Sequence, residues 1–173
     1  LVDPETLDLA TVSDAATGEA LGTAWRLDYF QMGTPEVAAP LSQEAEITFG
    51  STLALVGADL PVTLLPGKQV EVRLSWLAHG TVDENYTVFV HLFDEAGEML
   101  TQDDGPPRGG WYPTSAWEAG DVIVDVHRLD VPELPAGQAV HVLVGMYLPD
   151  DFTRLPVLDG AGRPLPDGIV PLF

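Results

Sequence analysis

Apolar and polar residues alternate with a period of two along much of this chain, and this alternation is the feature that most limits its fold. Residues 69–76, 121–129 and 139–147 show it most clearly. In each segment the apolar side chains fall on one face of an extended chain: Val70, Val72, Leu74 and Trp76 in the first, Val122, Val124 and Val126 in the second, and Val140, Val142, Val144 and Met146 in the third. Because successive side chains of a strand point to opposite faces, each segment is predicted to be a strand with one buried face.

Further strands are predicted around these three. The segment 86–93, YTVFVHLF, is apolar on both faces, which is typical of a central strand covered on both sides. Weaker strands are predicted near residues 24–31, 45–49, 53–60 and 98–102. No convincing amphipathic helix is found, because the spacing of the 15 prolines interrupts most candidate helices.

Two kinds of turn recur between the predicted strands. In the first, an aspartate is followed by a short spacer, a glycine, a polar residue and a leucine, at 14–21, 94–100 and 159–165. The aspartate can bond its own backbone, and the glycine can take the positive φ that closes a hairpin. In the second, a glycine turn leads directly into an alternating strand, as in LPGKQVEV. This density of turns predicts an all-β fold, an antiparallel two-sheet β-sandwich of the jelly-roll or Ig-like type, with almost no helix.

The chain is predicted to have two parts. Residues 1–44 are interpreted as an N-terminal hairpin or arm followed by a linker, or as the tail of a preceding module, because 34–44 (TPEVAAPLSQE) is linker-like. Residues 45–173 are predicted to form the sandwich domain. The chain begins at Leu1 rather than at a methionine, so it is expected to be a fragment or a processed product.

Charge and composition exclude several classes of function. The formal net charge is −20, from 27 acidic and 7 basic residues, which disfavours binding to nucleic acid or to an anionic membrane surface. No apolar run approaches the roughly 18 residues that a membrane helix needs, so direct membrane insertion of this segment is not expected. Since the chain has no cysteine, disulfides, thiolate metal sites and cysteine nucleophiles are excluded.

Two groups of residues are candidate metal ligands. His91, His127 and His141 lie on predicted strands and would form a three-histidine site if those strands were adjacent, although no short ligand pair fixes such a geometry. Asp103 and Asp104 lie next to each other in TQDDGPP, predicted as a glycine loop, and are weak candidates for Ca²⁺. Polar residues on a partly covered sheet face and turn-forming aspartates are the simpler interpretations. No metal or cofactor is therefore expected, with calcium as the alternative.

No local motif for catalysis is present. The sequence lacks the G-x-S-x-G nucleophile elbow, the phosphate-binding loop and the dinucleotide fingerprint. As an isolated domain it is predicted not to be an enzyme. The alternative is a stand-alone carbohydrate-active hydrolase that uses carboxylates on a sheet face, because glycosidases act through a pair of carboxyl groups.

The loop 105–121, GPPRGGWYPTSAWEAGD, holds two of the four tryptophans. Trp117 comes directly before a turn and a strand, so it is predicted to plug the core over the buried face of the strand at 122–126. Trp111 follows two glycines that offer nothing to pack against, so it is predicted to be accessible. Trp111 and Tyr112 are the candidate ligand contacts, because aromatic faces stack on sugar rings. The alternative is that the pair caps one end of the sandwich.

The stretches YTVFVHLFD, GPPRGGWYPTSAWEAGDVIVDVH and LPAG before VGMY carry a family resemblance. Across roughly residues 46–173 the chain resembles a bacterial β-sandwich domain at the extracytoplasmic end of large multi-spanning membrane proteins, many of them glycosyltransferases that use polyprenyl-phosphate sugar donors. The resemblance implies tandem copies, an extracytoplasmic location tethered to a membrane protein, and an accessory, non-catalytic role. Residues 8–31 would then be the tail of a preceding copy or a strand lent to this one.

The sequence therefore favours a non-catalytic module outside the membrane. Its expected partner is a glycan or a neighbouring domain of the same polypeptide, and it would otherwise act as a spacer. The hydrolase remains the alternative function.

Overall fold

The computed structural model describes residues 12–13, 20–22, 46–61, 64–135 and 138–172. Contacts between residues divide the chain into two units, Leu1–Glu36 and Val37–Phe173. In the first unit, strand β1 (Val12–Ser13) pairs antiparallel with strand β2 (Ala20–Gly22). The predicted boundary between residues 44 and 45, the predicted strand near 24–31 and most of the predicted turn at 14–21 fall outside the described ranges.

The second unit contains two antiparallel sheets that pack as a sandwich, which confirms the predicted fold class. Its strands are β3 (Ile47–Phe49), β4 (Leu53–Asp59), β5 (Gln69–Ala78), β6 (Thr87–Asp94), β7 (Met99–Gly105), β8 (Val122–Asp130), β9 (Val140–Tyr147), β10 (Val157–Leu158), β11 (Pro164–Leu165) and β12 (Val170–Pro171). The large sheet has the order β11-β10-β3-β4-β5-β8, and the small sheet has the order β12-β9-β6-β7.

Helical structure in the described ranges is limited to three short 3₁₀ turns, at Pro107–Gly110, Thr114–Ala116 and Pro166–Gly168. All three lie in connections between strands, and prolines stand at or next to their first residues, where the missing N–H group costs no hydrogen bond. In that part of the chain no helix has the length and apolar character needed to cross a membrane.

Strand β5 lies between β4 and β8 in the large sheet and buries the face that its alternation predicts. The side chains of Val72, Leu74 and Trp76 on that face are fully buried. The Trp76 ring meets the ring of Phe49 edge to face, with centroids 5.0 Å apart and planes at 84°. This is the arrangement that the ring quadrupoles favour. The pair therefore adds a specific contact to the apolar burial beneath the large sheet.

Strand β8 buries the opposite face from the one that its valines predict. Val122 and Val126 are 63% and 36% exposed, whereas the inward side chains are those of Ile123, Asp125, His127 and Leu129. Both faces of this strand are partly apolar, so alternation alone does not choose between them. The face with the two larger aliphatic side chains is buried, and its two polar residues satisfy one another at 3.0 Å.

Strand β6 buries its inner face, and its outer face is covered only in part, although the sequence predicts cover on both faces. Val88, Val90 and Leu92 point into the sandwich, and Phe89 on the outer face is 1% exposed. The Phe89 ring lies against Gly145 of the neighbouring strand β9, where a Cβ atom would collide with the ring and would lie 2.8 Å from the Gly168 carbonyl oxygen. Glycine at 145 therefore lets an aromatic ring and a backbone segment approach the sheet closely.

The predicted aspartate–glycine turns at 94–100 and 159–165 are confirmed. Asp94 Oδ1 accepts hydrogen bonds from the backbone N–H groups of Ala96 and Glu98, each at 2.9 Å, and Gly97 has φ +80°. The turn at 159–165 repeats this arrangement: Asp159 Oδ1 accepts from the N–H groups of Ala161 and Arg163, and Gly162 has φ +75°. The motif is self-contained, which is why the sequence predicts it correctly.

Candidate functional site

The connection from β7 to β8 crosses from the small sheet to the large sheet and contains Trp117. This side chain is 1% exposed, and its indole Nε1–H donates a hydrogen bond to the backbone oxygen of Tyr112 at 3.0 Å. The prediction that Trp117 belongs to the core is confirmed. The inward face of β8 is the one that carries Ile123, so the prediction that the valine face is the buried one is wrong. That the Trp117 ring covers the buried face of β8 stays a prediction.

Tyr112 is also part of the core, which corrects the expectation that it shares an accessible surface with Trp111. Its side chain is buried at 5% exposure, and its ring lies 6.4 Å from that of Trp117. The hydroxyl oxygen lies 2.7 Å from the Ala116 carbonyl oxygen and 2.5 Å from Asp121 Oδ2. Tyr112 therefore holds the loop together internally, and its side chain is buried instead of facing a ligand.

Thr114 fastens the loop to the segment before β6. The Thr114 hydroxyl donates to the Glu84 carbonyl oxygen at 2.6 Å and accepts from the Tyr86 N–H at 2.9 Å. Thr114 is fully buried. The Thr114 hydroxyl therefore both donates to and accepts from backbone groups. These two bonds hold residues 112–117 in one conformation.

Trp111 projects from this fastened loop and is 90% exposed. It follows three consecutive residues with positive φ, Arg108 at 53°, Gly109 at 65° and Gly110 at 87°. The Arg108 N–H donates to Asp125 Oδ1 at 2.7 Å, which ties the base of the tip to β8. The predicted accessibility of Trp111 is confirmed. The loop thus presents one large aromatic face to solvent from an anchored base.

Asp103 and Asp104 lie in β7 and not in a glycine loop, which corrects the sequence prediction. As neighbours on a strand they point to opposite faces. Asp103 Oδ2 accepts from the Arg128 N–H at 2.7 Å, while Asp104 Oδ1 lies 2.8 Å from His91 Nε2. Their carboxylates diverge, so they do not supply oxygens to a common Ca²⁺ ion.

The three candidate histidines do not converge. His127 is buried between the sheets, whereas His91 and His141 belong to the outer face of the small sheet, where Phe93 pairs with His141 and His91 pairs with Leu143. Among the described residues, no group of three or more histidine, aspartate or glutamate side chains is arranged to hold a metal ion.

The structure brings His127 together with two carboxylates. Its Nε2 lies 3.0 Å from Asp125 Oδ2, and its Nδ1 lies 3.4 Å from Asp103 Oδ2. Burial by itself lowers the pKa of His127, but the hydrogen bond to Asp125 and the charges of Asp125 and Asp103 outweigh it, so the pKa lies above the ordinary value of 6.5. This cluster joins β7 of the small sheet to β8 of the large sheet.

A second polar cluster, which was not predicted from the sequence, lies on the outer face of the small sheet. Asp104 accepts a hydrogen bond from the Tyr147 hydroxyl at 3.2 Å and also bonds His91. Burial and the nearby Asp104 carboxylate raise the pKa of Tyr147, which keeps the hydroxyl protonated. The ring of Phe152, 71% exposed, lies 5.5 Å from the Tyr147 ring. In the sequence, this cluster could have been found from the three aromatic residues at alternate positions of β6 that share its outer face, Phe89, His91 and Phe93.

The alternative function, a hydrolase, would need a pair of carboxylates on a sheet face. On the outer face of the small sheet, the strand residues described include one carboxylate, Asp104, which is bonded to His91 and Tyr147. Asp83 and Glu84 instead line a depression of about 370 Å³ beside Tyr86, whose pKa is raised by burial and by Glu84. Asp83 and Glu84 therefore both border this depression, in the connection between β5 and β6.

Comparisons with known proteins identify no family. No family model matches the chain, and no curated protein matches it. Among solved structures, a similar one is a beta-glucuronidase from glycoside hydrolase family 2, with 10% sequence identity and a TM-score of 0.40. The match covers 60% of this chain and 10% of that enzyme.

Proposed function

We propose that this domain is a non-catalytic β-sandwich module that binds a glycan through Trp111. The observation that carries the proposal is the 90% exposure of the Trp111 side chain on a loop with an anchored base. An indole left in water forgoes the burial that makes tryptophan stabilising. The C–H groups on one face of a pyranose ring form an apolar surface of matching size, which would cover the indole.

The anchoring of the loop supports recognition. Tyr112 and Thr114 hold the chain on one side of Trp111, and the bond from the Arg108 N–H to Asp125 holds it on the other. Binding to a preorganised group loses less conformational entropy than binding to a freely moving one. A single aromatic contact on a fixed loop can therefore contribute measurable affinity.

The charge of the domain narrows the ligand class. A formal net charge of −20 repels anionic polysaccharides over distances comparable with the Debye length, about 8 Å at physiological ionic strength. We therefore propose a neutral glycan. A neighbouring domain of the same polypeptide is the other partner that an exposed tryptophan would suit, because tryptophan is enriched at the centres of protein interfaces.

The setting of this module is proposed from the sequence resemblance. It would lie outside the cytoplasm as an accessory domain of a membrane glycosyltransferase-like protein, tethered through another part of the polypeptide. There it would hold a glycan near the catalytic part of the parent protein or keep that part at a fixed distance. Protease protection of the full-length protein in sealed membrane vesicles tests the orientation.

Binding is tested by isothermal titration calorimetry and NMR with a panel of neutral oligosaccharides, comparing the wild type with Trp111→Ala. We expect Trp111→Ala to lower affinity at least tenfold. Leu65→Ala is the matched control, since Leu65 is another exposed large apolar residue, at 60%, remote in sequence from the loop. Equal affinity of the wild type and Trp111→Ala for every sugar that binds would overturn the role of Trp111. Assaying the same mixtures for new reducing ends, with Asp83→Asn and Glu84→Gln, tests the hydrolase alternative.

A further inference from the structure

We infer that the outer face of the small sheet is a second binding site, for a linear neutral oligosaccharide, centred on Phe152 and Tyr147. This site is built from residues other than Trp111 and does not rest on the function proposed for that residue. Three observations carry it: a strained and exposed phenylalanine, a row of aromatic rings behind it, and a carboxylate at its edge.

The backbone at Phe152 is in a conformation that phenylalanine does not favour. Its φ is +59°, in the left-handed region where glycine and asparagine are the usual residues. The turn that imposes it is closed by two hydrogen bonds, from the Phe152 N–H to the Leu148 oxygen and from the Leu148 N–H to the Thr153 oxygen, both at 2.9 Å. Asp151 Oδ1 also accepts from the Thr153 N–H at 2.8 Å.

Folding does not explain this phenylalanine. The side chain is 71% exposed, so it adds backbone strain while removing little apolar surface from water. Asparagine or glycine at this position would close the same turn without strain. Residues with strained backbone conformations cluster at active sites and ligand-binding sites. A ligand that covers the ring supplies the missing apolar contact.

Phe152 stands at the end of a row of rings. Its centroid lies 5.5 Å from that of Tyr147, with planes at 35°, and Tyr147 lies 6.1 Å from Phe89 with planes at 28°. Phe89 is followed by His91 at 4.7 Å, and the Arg154 guanidinium carbon lies 5.2 Å from the Phe89 centroid. The buried Phe89 ring packs against Tyr147 and holds that ring in place. The accessible rings of the row are therefore those of Phe152 and Tyr147.

Polar groups border this pair on the side of β7. Asp104 holds the Tyr147 hydroxyl with one oxygen and His91 with the other. A carboxylate offers about four acceptor positions, so these two bonds leave acceptors for the hydroxyl groups of a sugar. An apolar platform with hydrogen-bond acceptors at its edge matches a pyranose, which has an apolar face and a hydroxyl-bearing rim.

The shape and charge of the face select the class of glycan. The accessible groups run from Phe152 in the turn after β9, through Tyr147, to Asp104 on β7 at the far side of β6, so a linear chain can lie along them. Asp104 and the net charge of −20 disfavour an anionic chain. The ligand is therefore a linear, uncharged, hydroxyl-rich oligosaccharide.

The experiment is calorimetric titration with cellohexaose, laminarihexaose and hexa-N-acetylchitohexaose, using the wild type, Phe152→Asn, Phe152→Tyr and Trp111→Ala. We expect at least one hexasaccharide to bind with an affinity that Phe152→Asn lowers at least tenfold and Phe152→Tyr preserves. Phe152→Asn should also melt at the same or a higher temperature, because asparagine tolerates the left-handed conformation. That combination separates loss of a binding group from loss of folding.

The Trp111→Ala variant separates the two sites. If this site exists, a hexasaccharide remains bound to Trp111→Ala with an affinity that Phe152→Asn lowers when the two changes are combined. Failure of all three hexasaccharides to bind the wild type overturns the inference. So does binding that Trp111→Ala removes and Phe152→Asn leaves unchanged, and in that case the role proposed for Trp111 stands.

Discussion

His127 and Asp125 form a buried hydrogen-bonded pair, with His127 Nε2 at 3.0 Å from Asp125 Oδ2 and the two side chains 5% and 3% exposed. β8 is an edge strand of the large sheet, and exposed edges invite pairing with other chains. Backbone N–H groups of Val126 and Arg128 are capped by carboxylates, at 3.1 Å from Asp125 and at 2.7 Å from Asp103. The buried cluster therefore protects the strand edge and joins the two sheets.

Stability should fall with rising pH because of this cluster. The pKa of His127 in the folded protein is raised above the ordinary value of 6.5, so its contribution is fully present below about pH 6.5 and is lost as the pH rises through the folded pKa. Urea unfolding of the wild type and of His127→Gln between about pH 5.5 and 9 measures it. The difference in unfolding free energy should be largest at the acidic end. A difference that grows with pH would contradict the ion-pair account.

Trp117 and Trp111 should differ in their effect on stability, although they lie six residues apart. Trp117→Ala removes a fully buried ring and its hydrogen bond to Tyr112, so we expect a loss of about 3–5 kcal/mol. Trp111→Ala removes a ring that is 90% exposed, so we expect a loss well under about 1 kcal/mol. Urea melts of the two variants compare them directly. Large and equal losses would mean that the whole loop is structural.

Gly145→Ala should destabilise the small sheet. The added methyl group would collide with the ring of Phe89 and approach the Gly168 carbonyl oxygen, and overpacking of this kind costs about 1–3 kcal/mol. Gly105→Ala is the matched control, because a Cβ atom at this other strand glycine meets nothing within 4 Å. Thermal melts of both variants are the measurement. A control variant that loses as much stability as Gly145→Ala would show that strand glycines, and not the Phe89 contact, set the cost.

The melting temperature should rise with monovalent salt. A net charge of −20 on 173 residues destabilises the compact state by self-repulsion, and salt screens that repulsion. Between about 10 and 150 mM salt the Debye length shrinks from roughly 30 to 8 Å. Differential scanning calorimetry over this range is the measurement, with sucrose at matched osmolality as the control. A flat or falling melting temperature would mean that the carboxylates are already well separated or paired.

Those features of the fold that depend on neighbouring residues in the chain could be predicted from the sequence. The alternation in β5 places Val72, Leu74 and Trp76 on its buried face, as predicted, and the aspartate–glycine turns at 94–100 and 159–165 form as predicted. In both cases the determining interactions lie within a few residues: side chains alternate along a strand, and an aspartate bonds the N–H groups that follow it. Composition and turn density were then enough to predict the sandwich.

The features that depend on partners distant in sequence were decided by the tertiary structure. Alternation gives β8 two faces but does not say which is inward. Packing between the two sheets decided it, and there Asp103 of β7, 24 residues before His127 in the sequence, lies 3.4 Å from the His127 ring. The outer-face cluster needs the register that sets β6 beside both β7 and β9, which brings His91 and Asp104 together with Tyr147. Local periodicity determines which residues of a strand share a face. Whether that face points inward, and which residues of other strands lie next to it, depends on how all the strands pack together.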